Sequence, residues 1–184
     1  MRNLVVSAWV TLDGVFDADT MPQWFMPFQT DDRARHIKQV VDACSAIVFG
    51  RTTYEMLGSY WSAQKNDENG PAAKLNSVPK YVVSTTLKKA DWNNSTILHE
   101  NVENAIAMLK DQTGGDILVL GSAKLVQSLT GTDLIDGYRI LVHPIIMGSG
   151  KRFFRDGMAT KKLKLLEAKT LEMGVVAHHY EATK

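Results

Sequence analysis

A strand followed by a tight turn and a helix is encoded in residues 114–129, GGDILVLGSAKLVQSL. The β-branched run Ile117–Leu120 predicts a buried strand, and the apolar spacing of Lys124–Leu129 predicts a helix. Between them stand Gly121, Ser122 and Ala123, small residues that let a backbone approach a pyrophosphate closely at a helix start. The alternative is a glycine that serves only the tight turn.

Apolar runs of similar length recur along the chain and alternate with helical patterns. Alternation of this kind predicts an α/β fold in three α/β/α layers, with a mostly parallel sheet covered by helices on both faces. The other predicted strands are Leu4–Val10, Ala46–Phe49, Tyr81–Val83 and Ile140–Val142. The other predicted helices are Asp32–Ala43, Thr53–Tyr60 and Val102–Lys110.

The end of the chain departs from this alternation. Two extended stretches joined around Glu172, Met173 and Gly174 predict a C-terminal antiparallel hairpin, which makes the parallel sheet a mixed one. The polar stretch 66–70 (NDENG) predicts an exposed loop that is too short to link domains. We therefore expect one domain over residues 1–184.

A second strand-to-helix turn lies at AIVFGRTTYEML, residues 46–57. A strand ends at Gly50, and Thr52 or Thr53 is predicted to cap a helix that begins near Tyr54, where open N–H groups attract phosphate. Arg51 adds a planar charged group suited to the phosphate that distinguishes NADP from NAD. The alternative is a solvated surface arginine.

A third turn follows the predicted strand in PKYVVSTTL, residues 79–87. The hydroxyls of Ser84, Thr85 and Thr86 are able to reach a ribose phosphate or to cap the next turn, and capping is the preferred interpretation of Thr86. Two glycine turns and this hydroxyl cluster at the carboxyl ends of parallel strands favour a dinucleotide site.

Composition and spacing exclude several other functions. Lys and Arg (21) nearly balance Asp and Glu (20), so no net charge favours nucleic acid or an anionic membrane. No stretch approaches the roughly 20 apolar residues of a membrane span, and no signal peptide is recognisable. The histidines lack ligand spacing, so no metal site is expected. The single Cys44 cannot form an internal disulfide, which favours a buried structural thiol and a cytoplasmic setting.

Two familiar catalytic motifs are incomplete or absent in the sequence. Residues 148–151 (GSGK) resemble the end of a P-loop, but Arg152 stands where the magnesium-binding hydroxyl belongs. No GxSxG occurs, which disfavours acyl transfer.

Four stretches together resemble the reductase domain of riboflavin biosynthesis (the RibD C-terminal domain family) and its dihydrofolate-reductase-like relatives. The match runs in order from about Leu4 to Phe154, and its last stretch is the most specific. The stretches are VTLDGVFD (10–17), FGRTTYE (49–55), PKYVVSTTL (79–87) and LVLGSAKLVQSLTGTDLIDGYRILVHPIIMGSGKRFF (118–154).

The resemblance implies NADPH lying across the strand ends and hydride transfer to a small heterocycle or ribosylamino-pyrimidine, as in a 5-amino-6-(5-phosphoribosylamino)uracil reductase. It implies substrate contacts at Asp13, Gly14 and the position of Gln29, and it names no catalytic acid. The cofactor-binding residues that it implies are Ala8, Gly50, Arg51, Thr52, Thr53, Ser84, Thr85, Leu120, Gly121, Ser122, Ala123, Lys124 and Leu125.

Two departures from the family pattern bear on activity. Gln29 stands where dihydrofolate reductases carry the acid that orients the pteridine, which places folate reduction in doubt. A single cysteine rules out the CxxC half of a fused deaminase's zinc site within these residues. The alternatives to the reductase are a dihydrofolate-reductase-like enzyme and a non-catalytic nucleotide-binding protein.

The expected partners are a small-molecule substrate and a second copy of the chain. The apolar, alternating stretch Val175–Tyr180 predicts a hairpin edge or face on which two subunits pair as a homodimer.

Overall fold

The structure is a computed structural model that describes residues 1–64 and 71–183. The predicted loop at 66–70 lies outside the described residues. Eight strands occur within the described part of the chain: β1 (Leu4–Thr11), β2 (Cys44–Gly50), β3 (Lys80–Val83), β4 (Ser95–Leu98), β5 (Asp116–Leu120), β6 (Gly137–His143), β7 (Leu163–Thr170) and β8 (Val176–Ala182). The α-helices there are α1 (Met21–Trp24), α2 (Asp31–Asp42), α3 (Arg51–Trp61), α4 (Ala72–Ser77), α5 (Val102–Asp111) and α6 (Ala123–Leu129).

All eight strands form one mixed sheet in the order β4-β3-β2-β5-β1-β6-β8-β7. The first six strands pair in parallel, and β8 pairs antiparallel with both β6 and β7. The predicted mostly parallel sheet and C-terminal hairpin are therefore confirmed. Because the parallel strands share one direction, the carboxyl ends of β1, β2, β3, β5 and β6 lie along the same edge.

Helices cover both faces of the sheet, as the three-layer prediction requires. Successive residues of β2 point to opposite faces of the sheet. Val48 joins a core with Ile106 of α5 and Val126 of α6, whereas Phe49 joins a core with Tyr54 of α3 and Leu75 of α4. We call these sides the α5 face and the α2 face, because Val40 and Val41 of α2 belong to the second core.

The structure differs from the sequence prediction in two short elements and in the position of the sheet edge. The short edge strand β4 and the helix α4 were not predicted, since each spans only four to six residues with little apolar periodicity. The stretch Val175–Tyr180 was predicted to provide a hairpin edge or face that pairs with a second subunit, and the edge alternative is wrong. It lies mostly in β8, which is paired on both sides, and the edge strand is β7.

Candidate nucleotide site at the carboxyl edge of the sheet

The two glycine turns predicted from the sequence meet at the carboxyl edge of the sheet. β2 and β5 are parallel neighbours; β2 ends at Gly50, and β5 ends at Leu120, directly before Gly121. The Gly50 N–H donates a hydrogen bond of 2.7 Å to Oγ of Ser122. A side chain of one turn thus fixes the backbone of the other.

These neighbouring strands continue into helices on opposite faces. β2 leads into α3 on the α2 face, and β5 leads into α6 on the α5 face. In open α/β sheets, a crevice forms where adjacent strands depart to opposite sides, and ligands bind in that crevice. The topology therefore places a candidate ligand crevice between the carboxyl ends of β2 and β5.

The turn after β5 requires small residues for two reasons. Gly121 and Ser122 both adopt left-handed conformations, with φ of +62° and +64°. A Cβ on Gly121 would lie 3.2 Å from Cζ of Phe16 and 3.4 Å from Cγ2 of Thr53, so a larger residue would crowd both. Phe16, in the loop after β1, was not predicted as a site residue. Its place in the site depends on its proximity to Gly121, more than a hundred residues further along the chain.

The predicted cap of α3 is wrong. The helix begins at Arg51, with Gly50 as its N-cap and no side-chain cap hydrogen bond, so Thr52 and Thr53 lie in its first turn. An uncapped first turn leaves backbone N–H groups available to an anion. Arg51 is exposed, and within the described residues its side chain bonds only to Glu55, at 2.9 Å. This exposed pair one helical turn apart stabilises little.

The turn after β3 is capped by a different hydroxyl from the one that was predicted. Oγ of the buried Ser84 accepts the N–H groups of Thr86 (3.1 Å) and Leu87 (2.9 Å), so Ser84 is the acceptor and Thr86 the donor. Thr85 is exposed. Because β3 neighbours β2, this turn forms one wall of the same edge.

The remaining predicted cofactor residues divide by exposure. Lys124 is exposed in the first turn of α6, and Ala123 is half-buried. Ala8, Leu120 and Leu125 are at most 8% exposed and belong to the cores under the edge. Any contact of these three with a ligand would come mainly from their backbone or from a small part of the side chain.

The Asp13 carboxylate is occupied by groups of the protein. Its Oδ1 accepts the Thr11 hydroxyl at 2.6 Å and the Met147 N–H at 3.2 Å, and its Oδ2 accepts the Gly148 N–H at 2.9 Å. Arg152 donates to the Asp13 backbone carbonyl. The hydroxyl bond from Thr11, aided by the two backbone N–H groups, lowers the pKa of Asp13 to about 2.

Residues 147–154, here called the strap, are held against the loop after β1. Nζ of Lys151 contacts Asp17 at 2.9 Å and Asp19 at 2.8 Å, and these contacts raise the pKa of Lys151. The Phe153 ring is fully buried and lies edge-on to Phe16 at 5.2 Å. The GSGKRFF motif thus anchors a loop beside the crevice, and its lysine is engaged by two carboxylates.

Gln29 and Gly14 occupy exposed or turn positions. Gln29 is exposed, and among residues 1–64 and 71–183 its Nε2 donates only to Sδ of Met26, at 3.5 Å. Gly14 has φ of +81° and closes the turn from Thr11, which explains the glycine there. Their assignment to substrate stays a prediction.

Cys44 is a structural thiol, as predicted. Its side chain is 2% exposed, and burial raises the pKa of the thiol to about 11. In residues 1–64 and 71–183, no cluster of three or more His, Cys, Asp or Glu side chains is placed to hold a metal ion. Over the same residues, no helix has both the length and the apolar character needed to cross a membrane.

The RibD C-terminal domain profile matches residues 2–177. The chain belongs to the RibD C-terminal domain family. Among its relatives, the uncharacterized protein YyaP of Bacillus subtilis (strain 168) is 27% identical over 95% of this chain and 92% of YyaP. The resemblance inferred from the sequence motifs is confirmed.

Solved structures share this fold. A protein proposed to act in riboflavin biosynthesis in Shewanella sp. PV-4 superimposes with a TM-score of 0.75 at 18% identity, covering 100% of both chains. The diaminohydroxyphosphoribosylaminopyrimidine deaminase/5-amino-6-(5-phosphoribosylamino)uracil reductase of Thermotoga maritima gives 0.68 at 14% identity, covering 99% of this chain and 57% of its own. The dihydrofolate-reductase-like α/β fold is therefore the fold of this family member.

Proposed function

We propose that this protein is an NADPH-dependent reductase that transfers hydride to a small heterocycle or ribosylamino-pyrimidine. Family membership supports the reaction class. The observation that carries the proposal is the crevice between β2 and β5, where an uncapped helix start and a pair of left-handed residues meet through the 2.7 Å bond between Gly50 and Ser122.

The residues of the crevice fit a dinucleotide. Open N–H groups in the first turn of α3 suit a diphosphate, and the Gly121 turn offers a backbone surface without a side chain. Arg51, held only by an exposed partner, can turn toward a 2′-phosphate at little cost. On these grounds we propose that the diphosphate lies at the two turns and that Arg51 binds the 2′-phosphate.

When bound, the nicotinamide supplies the hydride, so the protein mainly positions two rings and excludes water. Phe16 lies beside Gly121 and gives the crevice an apolar wall, and the buried Phe153 packs edge to face behind it. The strap holds that wall through Asp13 and Asp17. Asp13 thus acts as a positioning residue, and the acid that would protonate a substrate remains unassigned.

The substrate class follows from the neighbouring structures and from Gln29. The Thermotoga maritima protein carries a uracil reductase activity in its name, and we propose a related pyrimidine substrate here. Dihydrofolate fits less well, because an exposed neutral amide bonded to Met26 cannot deliver a proton to a pteridine.

The test compares NADPH consumption with 5-amino-6-(5-phosphoribosylamino)uracil and with dihydrofolate under identical conditions. We expect turnover of the pyrimidine and little or none of dihydrofolate. Robust turnover of dihydrofolate alone would overturn the substrate proposal. NADPH binding without turnover of either compound would favour the non-catalytic nucleotide-binding alternative.

We also propose a homodimer formed through the C-terminal hairpin, in a cytoplasmic setting. All eight residues of β7 are exposed, among them Leu165 at 52%, and its outer edge is unpaired within the described sheet. Such an edge is stable in solution when another strand or subunit covers it. Light scattering should give twice the 20.4 kDa of one chain, and Leu165→Lys should halve that mass. A monomer at micromolar concentration would contradict the proposal.

A further inference from the structure

A buried arginine lies on the sheet side of α2. Arg33 is only 4% exposed, and its guanidinium lies 4.0 Å above the centre of the Phe25 ring. One nitrogen, Nη1, donates to the Phe25 carbonyl at 2.8 Å. The group is therefore held in one place by an aromatic face and a backbone oxygen.

Its neighbour His143, the last residue of β6, is neutral. Arginine only donates hydrogen bonds, so Nε2 of His143, 3.3 Å from Nη1, must accept. Nδ1 then carries the proton and donates to the Val10 carbonyl at 3.1 Å. Burial, with Arg33 adding to it, lowers the pKa of His143 to about 4. The histidine positions the guanidinium and offers it no negative charge.

No carboxylate lies within 4.0 Å of Arg33 in the described residues, and its Nε there has no hydrogen-bond partner. The adjacent Asp32 is engaged elsewhere, by the Thr30 hydroxyl at 2.6 Å and the Glu172 N–H at 2.8 Å. A buried charge without a directly paired counterion is costly. Burial lowers the pKa of Arg33, and the charge of the adjacent Asp32 offsets this only in part. The guanidinium is thus placed for an anion that the chain itself does not supply.

The surroundings of Arg33 are apolar. Trp9, Phe28 and Ile37 are half-buried and pack against one small core on the α2 face. Ile37 lies one helical turn after Arg33, on the same side of α2. Trp9 lies on β1, the strand next to β5, so this region adjoins the proposed cofactor crevice. A mostly apolar site with one convergent polar group is typical of small-molecule pockets.

We propose that Arg33 binds the anionic edge of a planar heterocyclic substrate, which enters between Trp9 and Phe28 on the α2 face. The inference rests on the proposed function for its reaction, and it narrows the substrate class to a flat ring that carries a carboxylate or an ionised ring oxygen. The neutral aminouracil of the activity test is therefore expected to bind more weakly than such an anionic ring. The fixed planar fork of arginine suits two coplanar oxygens, which a lysine would bind less well. A neutral ring of the same shape would leave Arg33 unpaired and bind more weakly.

The experiment uses orotate, a uracil ring with a carboxylate, as the probe and uracil as its neutral counterpart. Binding is followed by tryptophan fluorescence, since Trp9 and Trp24 lie in or beside this region. Arg33→Met and Arg33→Lys are compared with Arg35→Met, a matched control on the exposed side of the same helix turn. NADPH affinity is measured in parallel for every variant.

We expect the wild-type protein to bind orotate at least about tenfold more tightly than uracil, the effect of one charged hydrogen-bonding contact. Arg33→Met should abolish this preference, Arg33→Lys should reduce it, and Arg35→Met should retain it. Equal binding of orotate and uracil by the wild type would overturn the inference, whether or not the Arg33 variants fold. So would an unchanged preference in a folded Arg33→Met.

The two proposals fail separately. Wild-type protein that prefers orotate but does not bind NADPH would refute the proposed cofactor and leave the role of Arg33 standing. Protein that binds NADPH but shows no preference for orotate would refute only the role of Arg33.

Discussion

The crevice between β2 and β5 and the strap beside it are built in opposite ways. The crevice is formed mainly by backbone, with an uncapped helix start and an arginine held by one exposed partner. Where the strap meets the loop after β1, the polar groups bond to one another: Asp13 accepts the Thr11 hydroxyl and two backbone N–H groups of the strap, and Lys151 contacts two carboxylates. The contrast supports the proposal that the crevice binds ligand and that the strap holds the crevice in shape.

The motifs that carry the family resemblance divide between these two regions. TLDG and GSGKRFF supply the strap and the loop that it holds, and the GRTT and GSAK turns supply the crevice. Changes in the strap should therefore alter stability first, and changes in the crevice should alter binding first.

The largest expected effect is on the anchoring ring of the strap. Phe153 is fully buried in the α5-face core, so Phe153→Ala should lower the free energy of unfolding by about 3–5 kcal/mol. Urea denaturation measures the loss. Phe154→Ala is the matched control, because Phe154 is 47% exposed and should cost much less. Equal losses of unfolding free energy for the two variants would contradict the structural role of the strap.

The next effect is a loss of stability in acid, centred on His143. Its folded pKa of about 4 lies below the usual value of 6.5, so between these values the unfolded chain binds a proton that the folded protein excludes. Stability should be full above pH 6.5 and fall by about 3 kcal/mol as the pH drops to 4. Burial lowers the pKa of His36 and His179 as well, which adds to the slope.

His143→Gln isolates the share of this residue, because the amide oxygen accepts a bond without titrating. Denaturation at pH 4.5 and 7 should show a smaller difference between the two pH values in the variant than in the wild type. An identical pH dependence in both proteins would show that the pKa of His143 does not differ between the folded and the unfolded state.

In the crevice, Arg51→Ala should cost about 1–3 kcal/mol of NADPH affinity through a lost charged phosphate contact. Binding of NADH and stability should change little, since the pair with Glu55 is exposed. Calorimetry with both cofactors measures the difference, and Glu55→Gln serves as a control that should keep NADPH binding. Equal losses for NADPH and NADH would refute the assignment of Arg51 to the 2′-phosphate.

The smallest effect is expected for Asp13→Asn, which keeps the side chain's shape and one acceptor oxygen. NADPH affinity should be unchanged, and turnover should fall as the strap loosens. Because the folded pKa of Asp13 is lowered to about 2, its contribution to stability is present above about pH 4 and is lost as the pH falls toward 2. Thermal unfolding at pH 3 and 6 should show a smaller difference in the variant; a lost NADPH affinity would instead place Asp13 in the cofactor site.

The sequence predicted the strands that carry the crevice because their apolar, β-branched runs depend on local pattern alone. It missed β4, which has four residues and no fully buried side chain. It placed the start of α3 at Tyr54, because the threonines there resemble caps, whereas the helix begins at Arg51 after Gly50.

Long-range contacts explain what the sequence could not give. Asp13 accepts the N–H groups of Met147 and Gly148, which lie 134 and 135 positions further along the chain. A substrate role and a structural role therefore look alike in the motif. The same is true of Arg33 and His143, which meet only when α2 packs against the ends of β1 and β6.

The most direct test of the nucleotide crevice is a crystal structure of the protein soaked with NADPH. The diphosphate should lie within hydrogen-bond distance of the first-turn N–H groups of α3, beside the Gly121 turn, with Arg51 on the 2′-phosphate. Cofactor bound instead in the groove of about 460 Å³ lined by Asn101–Asn104, Ser128 and Leu129 would contradict the account.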